Sequence, residues 1–312
     1  MTAISVVVPA FNSARTLRHT LEALGRQRFD ESYEVIVVDD GSTDETPQLA
    51  ASAGRNVIVV RQRNRGAAVA RNRGAAESRA PLLAFTDADC VPDPDWLREG
   101  VAGLADADLV QGAVSPDPTV TPMPFDRTLW VERESGLYEA ANLFVRRELF
   151  ERLGGFERLV DAPGRPLGED VWFGWRARRA GARTSYRGSA VVHHAVTRRR
   201  ATEYIRERRR RAQFAPLARK VPELRDKFFY RRVFLSRRTA AFDLAALGAA
   251  TAAALRSPLP LAVCGPYAWL LTGQTVGWRR HAAKAAAVEV AADAVSFGAL
   301  VTGSIRWRAP VL

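Results

Sequence analysis

The chain has 312 residues and 34.3 kDa, and 47% of it is hydrophobic, enough to bury a core and too much for a disordered polymer. Its two cysteines, Cys90 and Cys264, exclude a disulfide framework and a C-x-x-C zinc site, and they suit a reducing compartment. The net charge of +12 points towards polyanions, but it is local. Residues 198–238 hold 16 of the 46 basic and 4 of the 34 acidic residues, so the rest of the chain is neutral. The opening MTAISVVVPA has no basic stretch before its short apolar run, and no secretory leader is expected from it.

In chain order, strands and helices alternate. The β-branched run Ile4 to Pro9 predicts a strand buried on both faces. Asn12 or Ser13 is placed to cap a helix carrying Leu17, Leu21 and Leu24 at helical spacing. Strands follow at 35–38, 57–60 and 82–86, with a helix over 67–77. This order predicts a doubly wound, mostly parallel α/β sheet, in which ligands gather at the carboxyl ends of the strands. Further strands are expected at 109–114 and 141–145, and helices at 147–153 and 169–180. Two short strands near Ser185 and Val191 then lead to His193 and His194. The composition changes after Thr197, and the chain divides into residues 1–215 and a basic, then Ala/Leu-rich, helical region 216–312.

Two acidic clusters fall at expected strand ends. Asp87-Ala88-Asp89 has the spacing to hold one hard divalent cation, Mg2+ or Mn2+, and leave coordination positions for phosphates. The same pattern occurs in solvated loops, and only its place after Leu82–Phe85 favours function. In Asp39-Asp40-Gly41-Ser42-Thr43-Asp44 the paired carboxylates can accept from a base imide or ribose hydroxyls, while Ser42 or Thr43 suits a helix cap. Arg71 lies in a Gly-spotted, basic helix start that suits a diphosphate as well as a solvated surface. Glu169-Asp170 opens a helix, where a carboxylate stabilises the dipole or serves as a base. No P-loop is present.

Together these motifs resemble the family 2 glycosyltransferases. The resemblance rests on VVVPAFN from Val6, VDDGSTD from Val38, ARNRG from Ala70, TDAD from Thr86, LGGFE from Leu153 and GEDV from Gly168, and covers roughly residues 3–195. It implies a GT-A fold and inverting transfer from a nucleotide-diphosphate sugar, a UDP-sugar first, to an acceptor hydroxyl in envelope, glycolipid or polysaccharide synthesis. By position it implies donor contacts at Pro9, Phe11, Asp39, Asp40 and Arg71, metal ligands at Asp87, Asp89 and His193, and a base at Asp170. His193 fits the metal-binding histidine better than His194, unless the match slips by one residue. The Gln-x-x-Arg-Trp motif of processive members is absent, with RRRRAQF at 208–214 at best a distant counterpart, which disfavours polymer synthesis. The Pro/Gly loop 161–168 is a candidate lid, and acceptor specificity is assigned to 115–140 and 158–168.

The basic segment has two readings. Eight arginines between Arg198 and Arg211 suit an anionic membrane surface, gaining about 1 kcal/mol per residue. The apolar stretches 240–255, 258–276 and 285–305 are interrupted by Asp243, by three prolines, and by Glu289 and Asp293. Helices lying in the interface at the cytoplasmic face therefore fit better than clean spans. The rival is nucleic-acid binding through Arg198–Arg238, with Tyr204, Phe214, Phe228, Phe229 and Tyr230 available for stacking. Ala-rich segments with scattered acids also suit a soluble helical subdomain packed on the catalytic domain, and of these readings membrane association is favoured.

Overall fold

The structure, a computed structural model, describes residues 2–159 and 168–312. The chain forms two compact units, Met1–Thr121 with Thr128–Thr197, and Pro122–Arg127 with Arg198–Leu312. The division falls at Thr197, ahead of the boundary at 215 that composition suggests. The basic helices belong to the second unit because they pack on its last helix.

In the first unit the strands are β1 (Ile4–Ala10), β2 (Tyr33–Asp39), β3 (Val57–Arg61), β4 (Leu82–Thr86), β5 (Cys90–Pro92), β6 (Leu109–Pro116), β7 (Asn142–Arg146) and β8 (Thr184–His194). The helices are α1 (Ala14–Leu24), α2 (Thr46–Ala51), α3 (Ala67–Glu77), α4 (Trp96–Gly103), α5 (Arg147–Arg152) and α6 (Glu169–Arg179). One sheet runs in the order β3-β2-β1-β4-β7-β6-β8-β5. The half β3-β2-β1-β4 is parallel, as the β-then-α alternation requires. The other half is mixed, because β7 runs antiparallel to both β4 and β6, and β5 antiparallel to β8.

β1 and β2 are buried on both faces, hence their unbroken β-branched runs. Helix α3 approaches β1 so closely that a Cβ on Gly74 would lie 2.4 Å from Val7 Cγ1, which explains the glycine in the RNRG motif. The two strands expected near 185 and 191 are one strand, β8, parallel to β6. Its register jumps between Gly112/Ala113, which pair with Arg187 and Val191, so the extra residues of β8 bulge out there. Buried Asn142 supports this break, donating to the Ala113 and Ala190 carbonyls while its Oδ1 accepts from Trp96 Nε1. Gly100 of α4 faces the fully buried Phe144, whose ring would lie 2.0 Å from an added Cβ. Gly100→Ala should therefore cost about 1–3 kcal/mol in urea unfolding, and an unchanged midpoint would contradict this packing.

In the second unit the basic segment forms α7 (Ala201–Glu207), a 3-10 turn (Arg208–Gln213), α8 (Phe214–Lys220) and α9 (Leu224–Lys227). Then come α10 (Arg237–Leu255), α11 (Gly265–Thr275) and α12 (Ala282–Trp307). Ser236 caps α10, its hydroxyl accepting from the Thr239 N–H. Two of the three acids that interrupt the apolar stretches, Glu289 and Asp293, are paired internally, while burial raises the third, Asp243, to about 6. Arg238 pairs with Glu289 at 2.8 Å and Asp293 at 2.6 Å. By length and composition alone, α12 is one helix among the described residues long and apolar enough to cross a membrane, its most apolar stretch having a mean hydropathy of 1.5.

Candidate active site

The strand ends of the parallel half carry the site. After β1, Asn12 takes a left-handed backbone, and the DGSTD loop folds onto it. Ser42 Oγ accepts from Asn12 N–H at 2.9 Å, and Asn12 Oδ1 accepts from Thr43 N–H at 2.9 Å. Asp44, not Asn12 or Ser13, takes the first N–H of α1, at Ala14, while also accepting from Thr46 N–H. The motif's polar residues therefore tie two strand-end loops together. Ser42 and Thr43 do this as linkers and not as helix caps.

This framework holds the paired aspartates rigidly. Asp39 is fully buried, accepts from Ser42 N–H at 2.9 Å and pairs with Arg61 at 3.1 Å. Asp40 accepts from Gln62 Nε2 and from the Arg65 and Gly66 N–H groups, at 2.7 to 2.8 Å. A carboxylate offers about four lone-pair sites, so three bonds still leave one acceptor direction. Gly41, at φ +79°, makes the turn between the strand and this loop. Pro9 lies in β1 opposite Val38, and Phe11, just past the strand, exposes its ring at 39%.

Arg71 is the link to the second acidic cluster. It is buried in α3, donates to Asp87 at 2.6 Å, stands 3.8 Å from Glu169 and lies over the Phe156 ring. Burial opposes its charge, but Asp87, Glu169 and Asp170 more than offset this and raise its pKa. A single guanidinium thus connects the end of β4 to the start of α6.

Asp170 lies in the first turn of α6, entered through Gly168 in a left-handed conformation. Its carboxylate accepts from Val171 N–H at 2.9 Å and Ala140 N–H at 3.3 Å. Burial, then the neighbouring charge of Glu169, push its pKa up to about 7, against the opposing pull of Arg71. Glu139, which no sequence motif marks, adds to this effect. Burial raises Glu139 itself to about 7, and its Oε2 has no hydrogen-bond partner. The only sequence signal was a lone acid among Tyr138, Ala140 and Ala141. Were Asp170 the base that the resemblance implies, transfer would rise with pH through about 7, and Glu139→Gln would move that limb to lower pH. A rate profile flat from pH 5 to 8 would contradict the assignment.

The histidines are resolved differently from the sequence expectation. His193 Nδ1 lies 2.8 Å from Ser115 Oγ and its Nε2 2.9 Å from Asp93, away from the D-x-D motif. His194 Nε2 stands 3.6 Å from Asp89 Oδ2. His193 is therefore corrected to His194 as the histidine beside the acidic motif, since successive strand residues face opposite ways. Asp89, Cys90 and His194 place ligand atoms within 4.8 Å of one another. Burial and the adjacent carboxylates raise the Cys90 thiol, which makes it a poor ligand for a hard cation. A carboxylate and an imidazole on the solvent side of a strand end fit Mn2+ or a similar cation. The expected lid, 161–168, lies outside the described residues except for Gly168.

The chain is similar to known glycosyltransferases. Residues 5–154 match glycosyl transferase family 2. The glycosyltransferase AglE of Haloferax volcanii is 31% identical over 206 residues, 61% of this chain and 66% of that protein. The minor teichoic acid biosynthesis protein GgaA of Bacillus subtilis is 31% identical over 120 residues, 36% of this chain and 27% of its own length. A mannosyltransferase from Pyrobaculum calidifontis, solved with GDP-Man and Mn2+, is 25% identical, with a TM-score of 0.62 over 96% of this chain and 86% of that one. TarS of S. aureus, solved with UDP-GlcNAc, shares the fold at 21% identity and a TM-score of 0.50, over 68% of this chain and 66% of that one. The match thus spans about two thirds of AglE and about a quarter of GgaA. Residues 5–154 belong to glycosyl transferase family 2, within a GT-A-type fold.

Proposed function

We propose that the chain transfers a sugar, with inversion, from a nucleotide-diphosphate donor to a hydroxyl of an envelope glycan or lipid-linked acceptor. The observation that carries this reading is the connected set Asp87–Arg71–Glu169 with Asp170 beside it, at the carboxyl end of a parallel sheet. The relatives support it by their names, a teichoic acid biosynthesis protein and a mannosyltransferase solved with GDP-Man among them.

Each residue then has a role that follows from its position. The Asp39–Asp40 loop, Pro9 and Phe11 form the floor for base and ribose, and Asp40 keeps one acceptor direction for them. Asp89 and His194 would hold the divalent cation, with Asp87 nearby on Arg71. The cation, when bound, stabilises charge on the departing nucleotide diphosphate. Arg71 fixes Asp87 and adds positive charge where the diphosphate departs. Asp170 takes the proton of the acceptor hydroxyl as that oxygen attacks the anomeric carbon, and the proton stays on its carboxyl until product leaves. Glu139, buried on the same side, keeps Asp170 basic enough to accept it.

The test is a panel of UDP- and GDP-sugars incubated with Mn2+ and the full chain. Release of nucleotide diphosphate from one donor is the expected result, and no turnover of any donor over a long incubation would count against the reading.

The second unit supports membrane association. Helices α10 to α12 and their connections expose Leu247, Leu255, Leu259, Trp269, Val276 and Ile305, more apolar surface than a water-facing bundle tolerates. The aromatic residues of the basic segment are occupied otherwise than as a stacking platform for bases. Phe214, Phe228 and Phe229 pack on one another, and Tyr204 lies under Arg208. Cell fractionation should leave the protein in the membrane pellet through a high-salt wash, with release by detergent. Complete recovery in the low-salt soluble fraction would contradict this.

A further inference from the structure

The second unit contains a cavity of about 440 Å3 that the transferase reading does not use. Four arginines line it, Arg208, Arg211, Arg237 and Arg238, against two acids, Glu289 and Asp293. The acids are already committed. Asp293 accepts from Arg238 Nε and Tyr267 OH, both at 2.8 Å, and Glu289 accepts from Tyr204 OH at 2.8 Å and pairs with Arg238. That leaves two guanidinium charges in excess at the cavity.

Arg208 and Arg211 carry the excess inside. Arg208 lies 4.2 Å over the Tyr204 ring, donates to its hydroxyl, and has a buried Nε without a partner. Arg211 donates to Ser296 Oγ at 2.7 Å. Among the described residues neither has a carboxylate within ion-pair distance. Burial, then the like charge of Arg208, pull the Arg211 guanidinium down to about 10, the mark of a cation short of counter-charge. The third group, Arg237, is exposed at the rim in the first turn of α10, so the positive end of a 19-residue helix adds to the field.

We propose that this cavity binds a phosphoryl group, as a phosphate monoester or diphosphate anion, held by Arg208 and Arg211 within and Arg237 at the mouth. The surplus of two positive charges matches a phosphate dianion, and planar guanidinium forks match its oxygens. The group has two possible sources, the headgroup of a lipid beside the apolar helices α10 to α12 or a free anion. The proposal does not depend on the transferase reading, and its test does not measure transfer.

Calorimetric titration of the full chain in a neutral detergent, with EDTA present, would use dodecyl phosphate and inorganic phosphate as probes. Saturable binding of at least one is expected. Arg211→Gln should weaken it about tenfold, the effect of losing a charge-assisted hydrogen bond, and Arg237→Gln about threefold. Arg206→Gln, an exposed arginine on α7 outside the cavity, should leave it unchanged. Arg237 is exposed, so its variant keeps the test valid if Arg211→Gln fails to fold. Tighter binding of dodecyl phosphate identifies a lipid headgroup, and equal binding identifies a free anion. Absence of saturable binding, or an equal loss in Arg206→Gln, would overturn the proposal.

Discussion

Asp170→Asn should abolish sugar transfer while raising the thermal midpoint at pH 8. Loss of a general base typically costs about 10^2- to 10^4-fold in rate, and here the loss should appear in kcat with donor affinity kept. The stability effect follows from the sign of the shift. Burial lifts the Asp170 carboxyl from its ordinary value of 3.8 to about 7, so the folded chain holds this proton more tightly than the unfolded chain. The charge therefore opposes folding increasingly as pH rises from about 4 to about 7, and fully above that. Asparagine has no charge to bury, and its side-chain oxygen can still accept from Val171 or Ala140 N–H. The variant should thus gain stability over wild type at pH 8 and lose that advantage near pH 4. Wild-type turnover in Asp170→Asn would remove this residue as the base. A lower midpoint at pH 8 would instead show that the carboxylate is held by favourable contacts.

Asp89→Ala, like EDTA, should lower turnover by about 10^2-fold or more, since a bound cation contributes several kcal/mol to leaving-group departure. The two histidines separate the cation site from the scaffold. His194→Ala should follow Asp89→Ala in activity and respond to added Mn2+. His193→Ala removes bonds to Ser115 and Asp93 and should lower the melting temperature with a smaller effect on the cation requirement. Full activity of the wild type in chelator would remove the cation from the account, and equal cation responses of the two histidine variants would remove His194 as a ligand.

The parallel half of the sheet was legible because its strands are buried on both faces and so read as unbroken runs of valine and isoleucine. The acidic motifs were legible because they follow those runs directly. The mixed half was not. β5 has three residues, too few to show a period, and β7 reveals nothing of its antiparallel direction before its partners are known. Which histidine lies beside Asp89 was hidden for a related reason. Which of two neighbours faces Asp89 depends on strand parity, and β8 carries an irregularity at the Gly112/Ala113 register break. Glu139 reaches Asp170 only through tertiary packing, in a loop without motif or period. Glu289 and Asp293 looked like interruptions of an apolar helix until Arg238, more than 50 residues earlier, was seen to neutralise them.

The proposed function requires the β4 strand end to hold a divalent cation against a nucleotide diphosphate. Crystals of the full chain grown with MnCl2 and the donor that turns over, measured at the manganese absorption edge, test it most directly. The expected result is one anomalous peak coordinated by Asp89 and His194, with the diphosphate on its open side, Arg71 alongside and His193 still bonded to Asp93. A bound nucleotide without manganese at Asp89, or manganese held by other residues, would contradict it.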